Sequence, residues 1–268
     1  MKSSDEVRGG FRSVELGLGL IGIGKPWGYV DQSVPDEGSA ILLLETAYSL
    51  GIRYFDTAPS YGTSESHLGR FLRSLSITER RQIKVATKFG EHWNTELGQP
   101  FVDHSYKSLQ RSLDESIERI GLPDVLQLHK TTPEALRSDD VARSWDYARS
   151  TGIPTRAASI SDPASADIVL EDSRYSLVQL PFNIENHAFE YTIRRAYAQQ
   201  VRIIVNRPFG MGKLLHQSGG TPLRQAFAFI LMTRFAGVIL TGTKSVTHLQ
   251  ENLFAFREAM NDVARGDP

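Results

Sequence analysis

Three short apolar runs, 52–55, 83–87 and 125–128, each end in an ionisable residue: Asp56, Lys88 and His129, with Tyr61 five residues past Asp56. Singly, each has a plain structural explanation. A carboxylate after a strand caps a turn, a tyrosine there is a half-buried aromatic, and a lone lysine or histidine is surface or scaffold. As a set they are a carboxylate, a phenol, an amine and an imidazole, groups from which positioned proton transfer is built. They act together only if the fold brings the run ends to one place, so the elements carrying them decide the matter.

Short β-branched or apolar runs alternate with longer amphipathic ones along nearly the whole chain. Strands are expected at 16–23, 52–55, 83–87, 125–129, 154–159, 177–180, 202–205 and 238–240, and helices at 36–50, 64–75, 102–120, 133–150, 163–170, 188–199, 222–233 and 246–260. Gly51 and Gly121 follow the first and third helices, where a left-handed residue closes a helix cheaply, and Pro133, Pro163 and Pro222 suit first-turn positions. Buried parallel strands with helical crossovers form an open doubly wound sheet or a closed barrel. Eight units at roughly 30-residue spacing favour closure: an α/β fold, a single (βα)8 TIM barrel with its core at about residues 14–260. Barrel strands point their C-terminal ends one way, so Asp56, Tyr61, Lys88 and His129 converge on one mouth. Segments 94–100 and 216–221 read as loops on that face.

The 268 residues carry 30 Lys and Arg against 31 Asp and Glu, and no cysteine. A formal charge of −1, with isolated arginine pairs at Arg80-Arg81 and Arg194-Arg195, gives no general attraction to phosphate backbones or anionic lipid, so neither nucleic acid nor membrane is an expected partner. Without cysteine there are no disulfides, thiolate nucleophiles or Cys-ligated metal centres, and any redox chemistry needs another carrier. The seven histidines show no tight ligand spacing, so no metal site is expected. The start, MKSSDEVRGGFRS, lacks the apolar run of a signal peptide, and no stretch approaches the ~18–20 apolar residues that span a bilayer. A cytoplasmic protein, monomeric or weakly oligomeric, is expected.

Gly17-Leu-Gly19-Leu-Ile-Gly22 satisfies G-x-G-x-x-G, with Asp36 and Glu37 nearly twenty residues on. A dinucleotide fingerprint needs a strand ending at the first glycine and a helix opening within the motif. Lys25-Pro26-Trp27-Gly28 follows instead, so the glycines are read as close packing of a first barrel strand.

The chain resembles the aldo-keto reductases through Arg53-Tyr-Phe-Asp56-Thr-Ala with Tyr61-Gly, Val85-Ala-Thr-Lys88, Leu126-Gln-Leu-His129 and Gly242-Thr-Lys-Ser245 followed by Glu251-Asn252-Leu253. The resemblance spans about residues 16–256. It implies NAD(P)H-dependent interconversion of a small carbonyl compound and its alcohol in a barrel without a Rossmann domain. The catalytic set it implies is Asp56, Tyr61, Lys88 and His129. Hydride reaching a carbonyl carbon puts charge on oxygen, which Tyr61 suits as proton donor and His129 as orienting hydrogen-bond donor. A unit charge ~4 Å away at an effective dielectric of ~20 is worth about 4 kcal/mol, so Lys88, held charged by Asp56, is expected to lower the phenol's pKa on balance.

For the cofactor, the resemblance implies Ser161, Asp162, Gln179, Arg207, Thr243, Lys244, Ser245, His248 and Asn252. NADPH is the preferred carrier, with an ammonium, a hydroxyl and helix N–H groups at 244–245 suited to a 2′-phosphate. His248 stands where many relatives place an arginine, which leaves NADH open. Asp162 replaces a common asparagine, and after strand seven, where the family often offers an aromatic to stack on nicotinamide, the chain reads Asn206-Arg207-Pro208-Phe209, leaving the Arg207 plane. The chain ends soon after the last helix and no strand is followed by a long insertion. That predicts an open pocket with Trp27, Phe89 and Trp93 as apolar walls for the substrate. The alternative is a catalytically weak nucleotide-binding barrel with a regulatory or redox-sensing role. A non-redox barrel would need a metal or a phosphate-gripping loop.

Overall fold

The computed structural model describes residues 14–94, 96–216 and 222–266. Eight parallel strands close into a barrel in chain order: β1 (Val14–Gly19), β2 (Tyr54–Asp56), β3 (Lys84–Phe89), β4 (Val125–Leu128), β5 (Thr155–Ser159), β6 (Leu177–Pro181), β7 (Arg202–Asn206) and β8 (Gly237–Gly242). β8 shuts the ring against β1, with Val14 opposite Gly237 and Gly19 opposite Gly242. Both faces of each strand are covered, which is why the runs read as continuously apolar.

The pleat explains where chemistry begins. Tyr54, Ala86, Val125, Ala157, Leu177, Ile204, Val238 and Leu240 form one buried cluster inside the barrel, separate from the larger cluster between strands and helices. Two residues further along six of these strands, on the same face, stand Asp56, Lys88, Gln127, Ser159, Gln179 and Asn206. The interior therefore turns from apolar to polar at the C-terminal mouth. Gly17 points inward too: a Cβ there would run into the side chains of Val238, Leu240 and Tyr54. The glycine-rich segment is barrel packing at that position, as read from the sequence.

Around the ring lie helices Glu37–Ser49, Ser64–Ser74, Tyr106–Ile120, Asp139–Ser150, Pro163–Glu171, Glu190–Ala198, Leu223–Met232 and Val246–Arg265. Their starts are chemically marked. Asp36 accepts from Ser39 N at 2.7 Å, Ser138 Oγ from Val141 N at 3.2 Å, and Asp162 from Ser165 N at 2.8 Å.

Three expected boundaries shift. β1 stops at Gly19 rather than residue 23: Leu20 N makes the last ladder bond, to Asp56 O at 2.9 Å, and the chain then turns into a short helix, Ile21–Gly24. The helix expected from 102 opens at Tyr106, since Val102 pairs with Glu91 in an antiparallel hairpin of Glu91–Asn94 and Gln99–Val102. That hairpin also takes in the ends of the expected 94–100 loop. The 133–150 helix divides at Ser138 into Pro133–Arg137 and Asp139–Ser150. The expected loop at 216–221 falls, beyond His216, outside the described residues. No helix among the described residues is long and apolar enough to cross a membrane.

Candidate active site

The ends of β2, β3 and β4 bring the acid–base set together. Lys88, its side chain fully buried, pairs with Asp56 Oδ1 and donates to Thr57 O at 2.9 Å. The other carboxylate oxygen accepts from Gln127 Nε2 at 2.7 Å and Gln179 Nε2 at 3.1 Å. Gln179 in turn accepts from Ser159 Oγ at 3.0 Å. Asp56 is thus held directly from β3, β4 and β6, and through Gln179 from β5. The Lys88 ammonium lies 4.8 Å from the centre of the Tyr61 ring, and the His129 ring lies 6.0 Å from it, edge to face.

Tyr61 is held by local chain geometry. A single turn, Pro59–Tyr61, follows β2, with Tyr61 N bonded to Ala58 O at 3.0 Å. The turn presses against the Ile21–Gly24 helix: Thr63 N donates to Gly24 O at 3.1 Å, and a Cβ on Gly24 would collide with Tyr61 O and Ser64 N. Only a glycine lets the two segments meet this closely, so β1's exit sets the height of the phenol.

His129 is buried beside a second carboxylate. Its Nδ1 has no hydrogen-bond partner and lies 3.4 Å from Glu91 Oε2, out of bonding alignment. Glu91 accepts from Ser60 Oγ at 2.7 Å and lies 3.4 Å from Lys130 Nζ. Sequence reasoning passed over Glu91, which enters through the hairpin, and Gln127, visible only as a polar residue on an inward position between Val125 and His129.

The electrostatics distinguish Lys88, His129 and Tyr61. Burial alone would lower Lys88, but the Asp56 charge, with Tyr61, more than offsets it and holds the amine above its usual 10.5. Burial, then the Lys88, Lys130 and Lys25 charges, push His129 well below its usual 6.5, so the ring is neutral and keeps one N–H to offer. Tyr61 corrects an expectation. Burial raises the phenol more than Lys88 lowers it, and its pKa lies above the usual 10.0. The balance needed the degree of burial, which charges along a sequence do not give.

A cleft of about 560 Å³ runs from Asp56, Tyr61 and Gln179 to the start of the last helix. Thr243, Lys244, Ser245, His248 and Asn252 line its far end, and Arg207 and Trp27 its sides. Ser245 caps the last helix, accepting from His248 N at 3.3 Å. Two expected cofactor residues stand elsewhere: neither Ser161 nor Asp162 lines the cleft, Ser161 being exposed and Asp162 spent on capping Pro163–Glu171 through Ser165 N and Oγ. Phe89 is likewise no substrate wall. It is buried against Trp145 with ring centres 4.8 Å apart, because the residue after inward-facing Lys88 must face outward. Trp93 stands on the hairpin, reached by the Lys25 ammonium, which also lies over Tyr61.

The cleft fits a nicotinamide dinucleotide in kind. It is elongated, within the usual size of cofactor sites, and carries a buried unpaired acceptor, Asn206 Oδ1, near the mouth. Among the described residues no group of three or more His, Asp or Glu is placed to hold a metal ion.

Residues 15–222 match the Aldo/keto reductase family. The chain belongs to that family. Membership makes it an oxidoreductase of a class that works with nicotinamide dinucleotides. It is 24% identical to L-galactose dehydrogenase of Arabidopsis thaliana, over 93% of this chain and 86% of that one. It is also 24% identical to the Schizosaccharomyces pombe aldo-keto reductase yakc [NADP(+)], over 74% of this chain and 59% of that one. A putative aldo-keto reductase of Pseudomonas aeruginosa superposes with a TM-score of 0.76 at 25% identity, covering 91% of this chain and 90% of the other.

Proposed function

We propose that the chain reduces a small aldehyde or ketone to the alcohol, or runs the reverse, with NADPH as hydride carrier and Tyr61 as proton donor, residues 14–260 acting as one barrel unit. The observation carrying this reading is the meeting of Tyr61, Lys88, Asp56 and His129 in one corner of the mouth. When bound, the dinucleotide supplies the hydride. Lys244, Ser245 and the N-terminus of the last helix, with Thr243, His248 and Asn252 around them, would hold its adenosine end. Gln179, Asn206 and Arg207 would face its nicotinamide end.

Charge develops on the substrate oxygen as the carbon is reduced, and a donor within hydrogen-bond reach must meet it. Burial keeps Tyr61 protonated at rest, which a proton donor requires. Once the proton leaves, the Lys88 ammonium stabilises the tyrosinate, and Asp56 keeps that ammonium charged. Neutral His129 offers its N–H to the same oxygen. Trp27, in the cleft wall, and Trp93, outside the cleft lining but joined to Tyr61 through the Lys25 ammonium, remain as apolar walls for the substrate.

The test is single-turnover oxidation of bound NADPH by a reactive aldehyde. Tyr61→Phe should slow it about 10²–10⁴-fold, the usual contribution of a positioned acid, while nucleotide binding persists. Turnover at the unmodified rate would remove Tyr61 from the mechanism, and tight binding with no turnover in the unmodified chain would favour a regulatory barrel.

A further inference from the structure

Residues 27–31 lie along the long cleft, and all five line it. In its middle Tyr29 sits beside Gly212, whose added Cβ would come 3.8 Å from the Tyr29 Cβ. At its C-terminal end, the segment is tied to the loop after β8 by one ammonium. Lys244 Nζ donates to Asp31 O at 2.9 Å, Ser33 O at 2.6 Å and Ser33 Oγ at 3.1 Å, and pairs with Asp31 Oδ1 at 3.0 Å. An ammonium has three N–H groups, and these partners engage them all. The Asp31 carboxyl is held down at about 2, by the Ser33 backbone N–H first and then by Lys244. It is an anion at any working pH, standing on the lysine that a 2′-phosphate would need.

We propose that Asp31 is a specificity-determining residue: its carboxylate competes with the 2′-phosphate of NADPH for Lys244, so NADPH must displace Asp31 whereas NADH leaves the pair intact. The inference rests on the reading of this cleft as a nicotinamide-dinucleotide site with Lys244 at its phosphate end. The strap stays tied in both cases, because the Asp31 and Ser33 carbonyls remain available to the ammonium. Exposed His248 offers no guanidinium fork with which to outbid the carboxylate. Asp31 therefore narrows the preference for NADPH that an unopposed Lys244 would create.

Intrinsic tryptophan fluorescence, with Trp27 in the cleft wall, gives a binding readout independent of turnover. Titrations with NADPH and NADH separately would compare the unmodified chain, Asp31→Asn, Lys244→Gln and the double variant. Asp31→Asn should tighten NADPH about two- to five-fold, the range a solvent-accessible ion pair supports, with NADH little changed. The gain should vanish in the Lys244→Gln background. An unchanged NADPH-to-NADH ratio in Asp31→Asn, or an equal shift without Lys244, would overturn the proposal with nucleotide binding intact. Failure of the unmodified chain to bind either nucleotide would instead overturn the functional reading, and this inference with it.

Discussion

Asp56→Asn isolates the charge that keeps Lys88 protonated. The amide keeps an oxygen for Gln127 and Gln179 to donate to, with its NH2 then turned toward the Lys88 ammonium, and its volume is nearly that of the carboxylate, so packing is preserved. What disappears is the counter-charge of a fully buried ammonium. Removing one partner of a buried ion pair costs roughly 3–5 kcal/mol, and the preserved amide contacts put this case near 3 kcal/mol. At about 2–4 °C per kcal/mol for a chain of this order, the melting temperature should fall by about 6–12 °C at neutral pH. The pH dependence is the sharper check. In the unmodified protein Lys88 is raised above 10.5, so its contribution is fully present below that pH and is lost as pH rises through the folded value. In the variant burial dominates and the sign reverses: folding is penalised at neutral pH and recovers as pH climbs toward 10.5. The stability gap between the two proteins in urea titrations should therefore be widest near pH 7 and shrink toward pH 10.5. A gap of equal size at pH 7 and pH 10 would refute the reasoning, because the lost stability would then owe nothing to the charge on Lys88.

Two further outcomes follow from the same geometry. His129 is held neutral far below 6.5, so the unfolded chain binds a proton there that the folded one refuses; stability should fall as pH drops below 6.5, and in His129→Gln denaturant titrations that acid slope should be shallower. Phe89→Ala should cost about 3–5 kcal/mol, as cavities under large aromatics do, while leaving the KM for carbonyl substrates unchanged. A raised KM with full stability would return Phe89 to the substrate pocket.

The barrel and its mouth were legible because the pattern that closes it is local. Apolar strand residues two positions before Asp56, Lys88 and Gln127 mark the inward face, and the glycines and prolines punctuate the helices. Phe89 was misplaced by treating a strand end as a place rather than as a pleat, since its inward neighbour Lys88 already turns it outward. The fate of Asp162 was within reach as well: an aspartate before Pro163 is a helix cap before it is a ligand. Other features were not readable. Lys244 meets Asp31 and Ser33 across more than 200 residues, Glu91 reaches His129 only through a hairpin, and the balance at Tyr61 depends on how much solvent the closed fold removes.

Gln179 has a consequence for how such an enzyme can change. One carboxamide braces the carboxylate behind the proposed proton donor and, through the same side chain, walls the space proposed for the hydride carrier. Its oxygen is engaged by Ser159 and one of its N–H groups by Asp56, so the amide cannot swing to suit a new occupant without loosening its hold on the acid machinery. Under the proposed function, nucleotide recognition at the mouth and proton delivery would share a single hinge-pin, and adaptation of one without the other would have to proceed from the far end of the cleft, at Lys244 and Ser245.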